Sequence, residues 1–110
     1  MMTVEDVNKI DMIGISLDDQ DMVNLGISDH LIWGSLIEEH LYKLQEKINS
    51  YIQFIETGEI YSAFPETKGT NKKNIMIYFK HTPPKESLFF FEGVEKVLKS
   101  INVSLVIKVP

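Results

Sequence analysis

The chain contains no cysteine and no arginine, and it has a single tryptophan among its 110 residues. Without cysteine, disulfide bonds and thiolate metal sites are excluded, so a zinc ion would need histidine and carboxylate ligands. Without arginine, the planar guanidinium fork that usually reads bases and holds phosphates is missing, which disfavours a nucleic-acid partner. No P-loop, G-x-G-x-x-G or G-x-S-x-G motif occurs either. We therefore expect no catalytic residues, no cofactor and no bound metal.

Length and composition indicate one globular domain. Apolar residues make up 44% of the chain and charged residues 25%. A chain of this length buries roughly two thirds of its unfolded surface, which suffices for one core. No apolar run approaches the roughly 20 residues that a membrane-spanning helix needs. We expect a single α/β domain over residues 1–110, with residues 1–8 flexible, and a cytoplasmic location.

The net charge of −5 conceals an uneven distribution of charge along the chain. Residues 1–66 carry 13 acids and 3 lysines, whereas residues 67–110 carry 8 lysines and 3 acids. The lysines of the second part could attract an anion as a set of point charges. A solvated loop and strand edge explains the same residues, and we favour that interpretation.

Alternating apolar residues predict four strands. The first two cover residues 7–17 and 22–28 and are joined by the acidic turn 18–21, which predicts an antiparallel hairpin. The other two cover residues 74–81 and 103–109. Each strand has one strongly apolar side and one mixed side, which is typical of a sheet that is packed on one face only.

Two amphipathic helices complete the predicted fold. The first begins near Leu36, after a capping box of Ser35 and Glu38, and ends at Gly58. A long loop over residues 58–73 follows. The second helix begins after Thr82 and two prolines. The order ββαβαβ predicts an α+β fold, a two-layer sandwich in which both helices pack on one face of a four-stranded sheet.

The segment ISDHLIWGSLIEEHLYKL, residues 27–44, concentrates the side chains that could carry chemistry, namely Asp29, His30, Trp33, Glu39 and His40. Histidine titrates near neutral pH and binds zinc, so a small metal-binding protein or hydrolase using Asp29, His30 and His40 is one interpretation. The segment lacks the H-E-x-x-H spacing, however, and His40 falls within the apolar stripe of the helix. We favour a structural joint, in which Asp29 holds the turn and Trp33 pins it to the core.

The stretches ISDHLIW, EEHLYKLQEKINSYIQFIETGEIY and FPETKG resemble a bacterial family known as domain of unknown function 6572. The resemblance covers residues 10–109, and its most specific part is Asp29, His30, Leu31 and Trp33, followed by the EHL and LQEKIN segments. It implies a compact α/β domain of bacterial origin, with the five side chains of the joint as the family-like constellation. It implies no activity.

The small size, the acidity and the absence of catalytic motifs favour a non-enzymatic protein-interaction domain, such as an inhibitor or immunity-type protein. The sheet face without helices is rich in methionine, a residue that adapts to irregular partners. Phe89 lies about 140° from Val94 on a helical wheel and is expected to protrude. The expected partner is an unidentified protein, or a second copy in a homodimer through the open sheet face. The candidate interface residues are Met22, Met76, Tyr78, Phe89 and Val106.

Overall fold

The computed structural model describes residues 4–110, which fold into one four-stranded sheet and one layer of helices. The predicted α+β two-layer architecture is confirmed, with one short helix more than expected. In chain order the elements are β1 (Met12–Ile15), β2 (Met22–Asp29), α1 (Ile37–Glu56), α2 (Glu59–Ala63), β3 (Lys72–Phe79), α3 (Leu88–Lys99) and β4 (Val103–Lys108).

The strands lie in the order β1-β2-β3-β4, with β1 antiparallel to β2 and the last three strands parallel. The crossovers β2–α1–β3 and β3–α3–β4 advance across the sheet in the same direction. Because such connections are right-handed, α1 and α3 cover the same face of the sheet. Since the strand order never reverses, the sheet lacks the crevice in which doubly wound folds bind their ligands.

The core lies between the sheet and the helices. Alternate residues of β2 and β3 are fully buried there, as the period-2 pattern predicts, while their neighbours point to the other face. The buried side of α1 follows the predicted apolar stripe and includes His40 and Lys47. The side chains buried from these three elements are Val23, Leu25, Ile27, Asp29, His40, Leu41, Leu44, Lys47, Ile48, Tyr51, Phe54, Lys73, Ile75, Ile77 and Phe79.

The first strand is much shorter than predicted. It ends at Ile15 because the Ser16 N–H donates to the Met22 carbonyl and closes the hairpin, which leaves Leu17 fully exposed in the turn. At the other end, the chain before Met12 leaves the sheet, since the carbonyls of this segment accept hydrogen bonds from α1.

Two details of the helical layer also differ from the predictions. The capping box is wrong: α1 has Leu36 at its N-cap and no side-chain cap. The predicted long loop contains α2, because Gly58, at φ +79°, lets the chain turn at once from one helix into the next. Ile60 is fully buried, and Phe64 packs edge-on against Phe54 of α1.

The segment predicted to be flexible, residues 1–8, is anchored where the structure describes it. Residues 1–3 lie outside the described part. Val4 is fully buried in the core, and its N–H donates to the Ser28 carbonyl at 2.9 Å. Within residues 4–110, none of the helices combines the length and the apolar character needed to cross a bilayer.

Candidate functional site

Asp29 and His40 form a buried pair at the joint between β2 and α1. Asp29 is the last residue of β2, and His40 lies in the first turn of α1. Nε2 of His40 lies 2.6 Å from Oδ2 of Asp29, and both side chains are almost completely buried. The other carboxylate oxygen accepts from the Leu31 N–H at 3.0 Å, so Asp29 holds the turn as predicted.

Trp33 covers this pair. Its indole stacks on the His40 imidazole, with ring centroids 3.6 Å apart and planes inclined by 13°. Its Nε1–H donates to the His81 carbonyl at 3.1 Å, just beyond the end of β3. The indole also lies 5.9 Å from the ring of Phe79, which continues the aromatic contacts into the core. Trp33 therefore ties together the ends of β2 and β3 and the start of α1.

The other two members of the predicted cluster lie apart from this pair. His30 follows Asp29 in an extended chain, so its side chain points the opposite way, where Nε2 lies 3.4 Å from Oε1 of Glu5. Glu39 is exposed on the outer side of α1. Among the residues that the structure describes, no three histidine or carboxylate side chains are grouped closely enough to hold a metal ion.

The free nitrogen of the buried histidine has no access to solvent. Nδ1 of His40 is buried and finds no hydrogen-bond partner within residues 4–110. A general base has to reach the proton that it removes, either directly or through one water molecule. In this geometry the pair fixes the chain at the joint, and the nitrogen that could act on a substrate is covered by protein.

A second buried polar network was not predicted from the sequence. Lys47 of α1 is completely buried, and its ammonium group donates to the carbonyls of Asp6 and Lys9, both at 2.6 Å, and to Oδ1 of Asp11 at 2.8 Å. An ammonium has three hydrogens, so all its donors are used. Oδ2 of Asp11 accepts from the Ser28 N–H at 2.9 Å. The sequence signal was a lysine inside the apolar stripe of α1.

Tyr51 completes this network one turn further along α1. Its hydroxyl accepts from the Asp11 N–H at 2.9 Å and donates to the Gly26 carbonyl at 2.5 Å. Burial raises the pKa of the Tyr51 hydroxyl well above its ordinary value, so the group keeps the proton that it donates to β2. Together, Lys47 and Tyr51 fasten the N-terminal segment to the helix side of the sheet.

The candidate interface residues fall on two opposite surfaces. The face of the sheet without helices, called the open face below, carries four of them. Met12 of β1 and Tyr78 of β3 close over Gly26 of β2 on this face. Phe89 lies in the helical layer instead, 73% exposed, at the border of an apolar groove of about 410 Å³ between α1 and α3. The open face presents Met12, Met22, Asn24, Met76, Tyr78, Ser104, Val106 and Lys108.

Neither the N-terminal segment, as far as the structure describes it, nor the segment after α1 covers the open face. The N-terminal segment from Val4 to Asp11 is bound by α1, and the segment after α1 packs Ile60 into the core. At the rim of the open face, Lys72 bonds Oδ2 of Asp19 at 2.6 Å. That hydrogen bond raises the pKa of Lys72 and lowers the pKa of Asp19, so the two charges neutralise each other there.

Fold and site together define a two-layer α+β domain with one antiparallel edge strand, three parallel strands and a buried acid–histidine pair at the first strand-to-helix joint. The chain belongs to the family of unknown function DUF6572, whose model matches residues 2–110. This match confirms the resemblance seen in the sequence. No curated protein and no solved structure shows a significant match to the chain.

Proposed function

We propose that this protein is a non-enzymatic interaction domain, which binds a protein partner through the open face of its sheet. The observation that carries the proposal is the methionine-rich face itself, which no segment within residues 4–110 covers. Met12 is 44% exposed and Tyr78 39% exposed, and Met22, Met76 and Val106 are half-buried beside them. Flexible methionines and an amphipathic tyrosine suit an irregular protein surface.

The geometry of the joint supports a binding role over a catalytic one. The histidine with the best placed acidic partner, His40, is packed beneath Trp33 and bonded to Asp29. The side chains of Asp29 and His40 are both engaged in contacts that hold β2, β3 and α1 together. An inhibitor or immunity-type protein needs a stable, accessible surface and no reactive group, and this combination fits that role.

The test is capture of a partner from a lysate of the producing organism, with three baits. We expect the parent protein and Phe89→Lys to retain the same partner, and Tyr78→Lys to lose it. Phe89 is the matched control, because it is an exposed aromatic residue on the opposite side of the molecule. If the captured protein is an enzyme, adding the purified domain is expected to lower its activity.

Two outcomes would contradict this function. A partner lost with Phe89→Lys and kept with Tyr78→Lys would move the binding site to the groove between α1 and α3. Failure of all three baits to retain any protein would argue against an interaction domain altogether.

A second candidate function is a metal-binding protein or small hydrolase that uses Asp29, His30 and His40. The observation in its favour is the buried His40, whose Nδ1 is left without a partner within the described residues. A metal site built on it would require His30 to turn from the outside of the strand and Asp29 to release its hydrogen bond.

We expect Zn²⁺ or Mn²⁺ to leave the melting temperature unchanged, because no third ligand lies beside Asp29 and His40 within residues 4–110. A ligand present at 100 times its dissociation constant adds about 2.7 kcal/mol, or roughly 10 °C for a domain of this size. Thermal unfolding with each ion and with a chelator measures the effect. A rise that disappears in His40→Ala would establish the metal-binding function instead.

A further inference from the structure

We infer that β4 is a dimerisation edge, at which the β4 strands of two copies pair antiparallel to form one continuous eight-stranded sheet. This inference extends the proposed function, since the two open faces would become one surface. Among the described residues β4 has a neighbour on one side only, β3, so its outer N–H and C=O groups are left for pairing. Unpaired strand edges are templates for pairing with another chain.

The two edges of the sheet are built differently. β1 is four residues long, contains Gly14 and is followed by the exposed Asp18 in the turn. Short length, glycine and nearby charge are means by which proteins prevent edge pairing. β4 is six residues long, strongly β-forming, and carries Lys108 as its single charge. The edge that is protected is therefore β1, and the edge that is free to pair is β4.

The sequence of β4 is complementary to itself in one register. Copies related by a two-fold axis perpendicular to the sheet keep their helices on the same side. Two residues that pair across the axis must therefore point to the same face, so their numbers are both odd or both even. Centring the pairing on Val106 places Lys108 opposite Ser104 rather than opposite another lysine, and it extends the pairing to Val109, one residue beyond β4. The remaining pairs are apolar: Leu105 with Ile107, and Val103 with Val109.

Pairing at β4 would double the area of the open face. With each strand residue occupying about 4.8 Å by 3.3 Å, the four strands present a face of about 400 Å². Stable protein interfaces bury about 800 Å² on each partner. Joining two copies at β4 doubles the open face to about that size, with Val106 of both copies at its centre.

Cysteine crosslinking tests the register directly, because the chain has no cysteine of its own. Directly opposite residues of an antiparallel pair have Cβ atoms about 4.5–5.5 Å apart, close to the geometry of a disulfide. We expect Val106→Cys to form a disulfide-linked dimer in a glutathione buffer. Met76→Cys is the matched control, since Met76 lies beside Val106 on β3 and would be about 14 Å from its counterpart across the new edge.

Charge substitution at Ser104 tests the same register without a covalent bond. Ser104→Lys would place lysine opposite Lys108 twice in each dimer, and Ser104→Glu would place a carboxylate there. Sedimentation equilibrium is expected to show a dissociation constant roughly tenfold higher for the lysine variant and roughly tenfold lower for the glutamate variant. Met12→Lys charges the open face at its far end, and we expect it to leave the dimer unchanged.

Equal crosslinking of Val106→Cys and Met76→Cys, or dissociation by Met12→Lys, would overturn the edge dimer in favour of contact between open faces. A parent protein that remains monomeric at millimolar concentration would also overturn it. These outcomes are independent of the partner-capture result for Tyr78→Lys. A domain that captures its partner but stays monomeric would retain the proposed function and lose only the edge dimer.

Discussion

Replacing Lys47 with alanine is expected to lower the free energy of unfolding by roughly 3 to 5 kcal/mol, the usual cost of removing one partner of a buried ion pair. The substitution would leave the carboxylate of Asp11 buried without its cation. It would also remove the ammonium donor from the Lys9 carbonyl and from the Asp6 carbonyl, which would keep the Lys9 N–H as a donor. Urea unfolding followed by the fluorescence of the single tryptophan measures the loss.

The neighbouring Lys43 provides the matched control. It lies one turn earlier on α1 and is partly exposed, and its ammonium group is 3.9 Å from Oε2 of Glu5. Exposed pairs of this kind contribute about 0 to 1 kcal/mol, so Lys43→Ala should unfold almost like the parent protein.

Lys47→Ala and Lys43→Ala are also expected to differ in their sensitivity to proteolysis. Lys47→Ala is expected to release the segment before Met12, so limited proteolysis with mass spectrometry should find new cleavage sites there. Lys47→Met keeps most of the side-chain volume and separates loss of charge from loss of packing. If Lys47→Ala unfolds within about 1 kcal/mol of the parent protein, the ammonium group is not the anchor that its contacts indicate.

Replacing Trp33 with alanine is expected to cost roughly 3 kcal/mol, at the lower end of the range for large aromatic residues, because the indole is only partly buried. The variant loses the stacking on His40, the contact with Phe79 and the hydrogen bond to the His81 carbonyl. Because it also removes the only tryptophan, unfolding has to be followed by circular dichroism.

His30→Ala is the control for this prediction. His30 lies near Trp33 in the sequence, but it is exposed and contacts only the carboxylate of Glu5 among the ion pairs described. We expect it to cost less than about 1 kcal/mol. Equal stability of Trp33→Ala and the parent protein would mean that the indole is dispensable for the joint, and the segment would then be a candidate binding surface.

The sequence was sufficient wherever structure depends on neighbours along the chain. Alternation in β2 and β3 predicted which residues enter the core, because successive side chains of a strand point to opposite faces. Spacings of three and four predicted the buried side of α1, and Gly58 its end. The same local pattern predicted the exposure of Phe89.

Local pattern was less reliable where competing contacts decide the ends of elements. Ser35 and Glu38 have the spacing of a capping box, yet the chain enters α1 from a turn that Asp29 already holds, and no side chain caps the helix. The first strand was predicted to begin at Val7, but the carbonyls of the chain before Met12 bind Lys47 instead. Before Met12, hydrogen bonds to a distant residue therefore overrode the local preference.

The sequence by itself determined the elements, the two faces of each strand and the single-sided packing of the sheet, because those follow from periodicity within short segments. Only the tertiary structure decided the strand order, the bond between Asp29 and His40, and the burial of Lys47. Each of these depends on contacts between segments that are distant in the sequence. The spacing of residues within short segments does not predict such contacts.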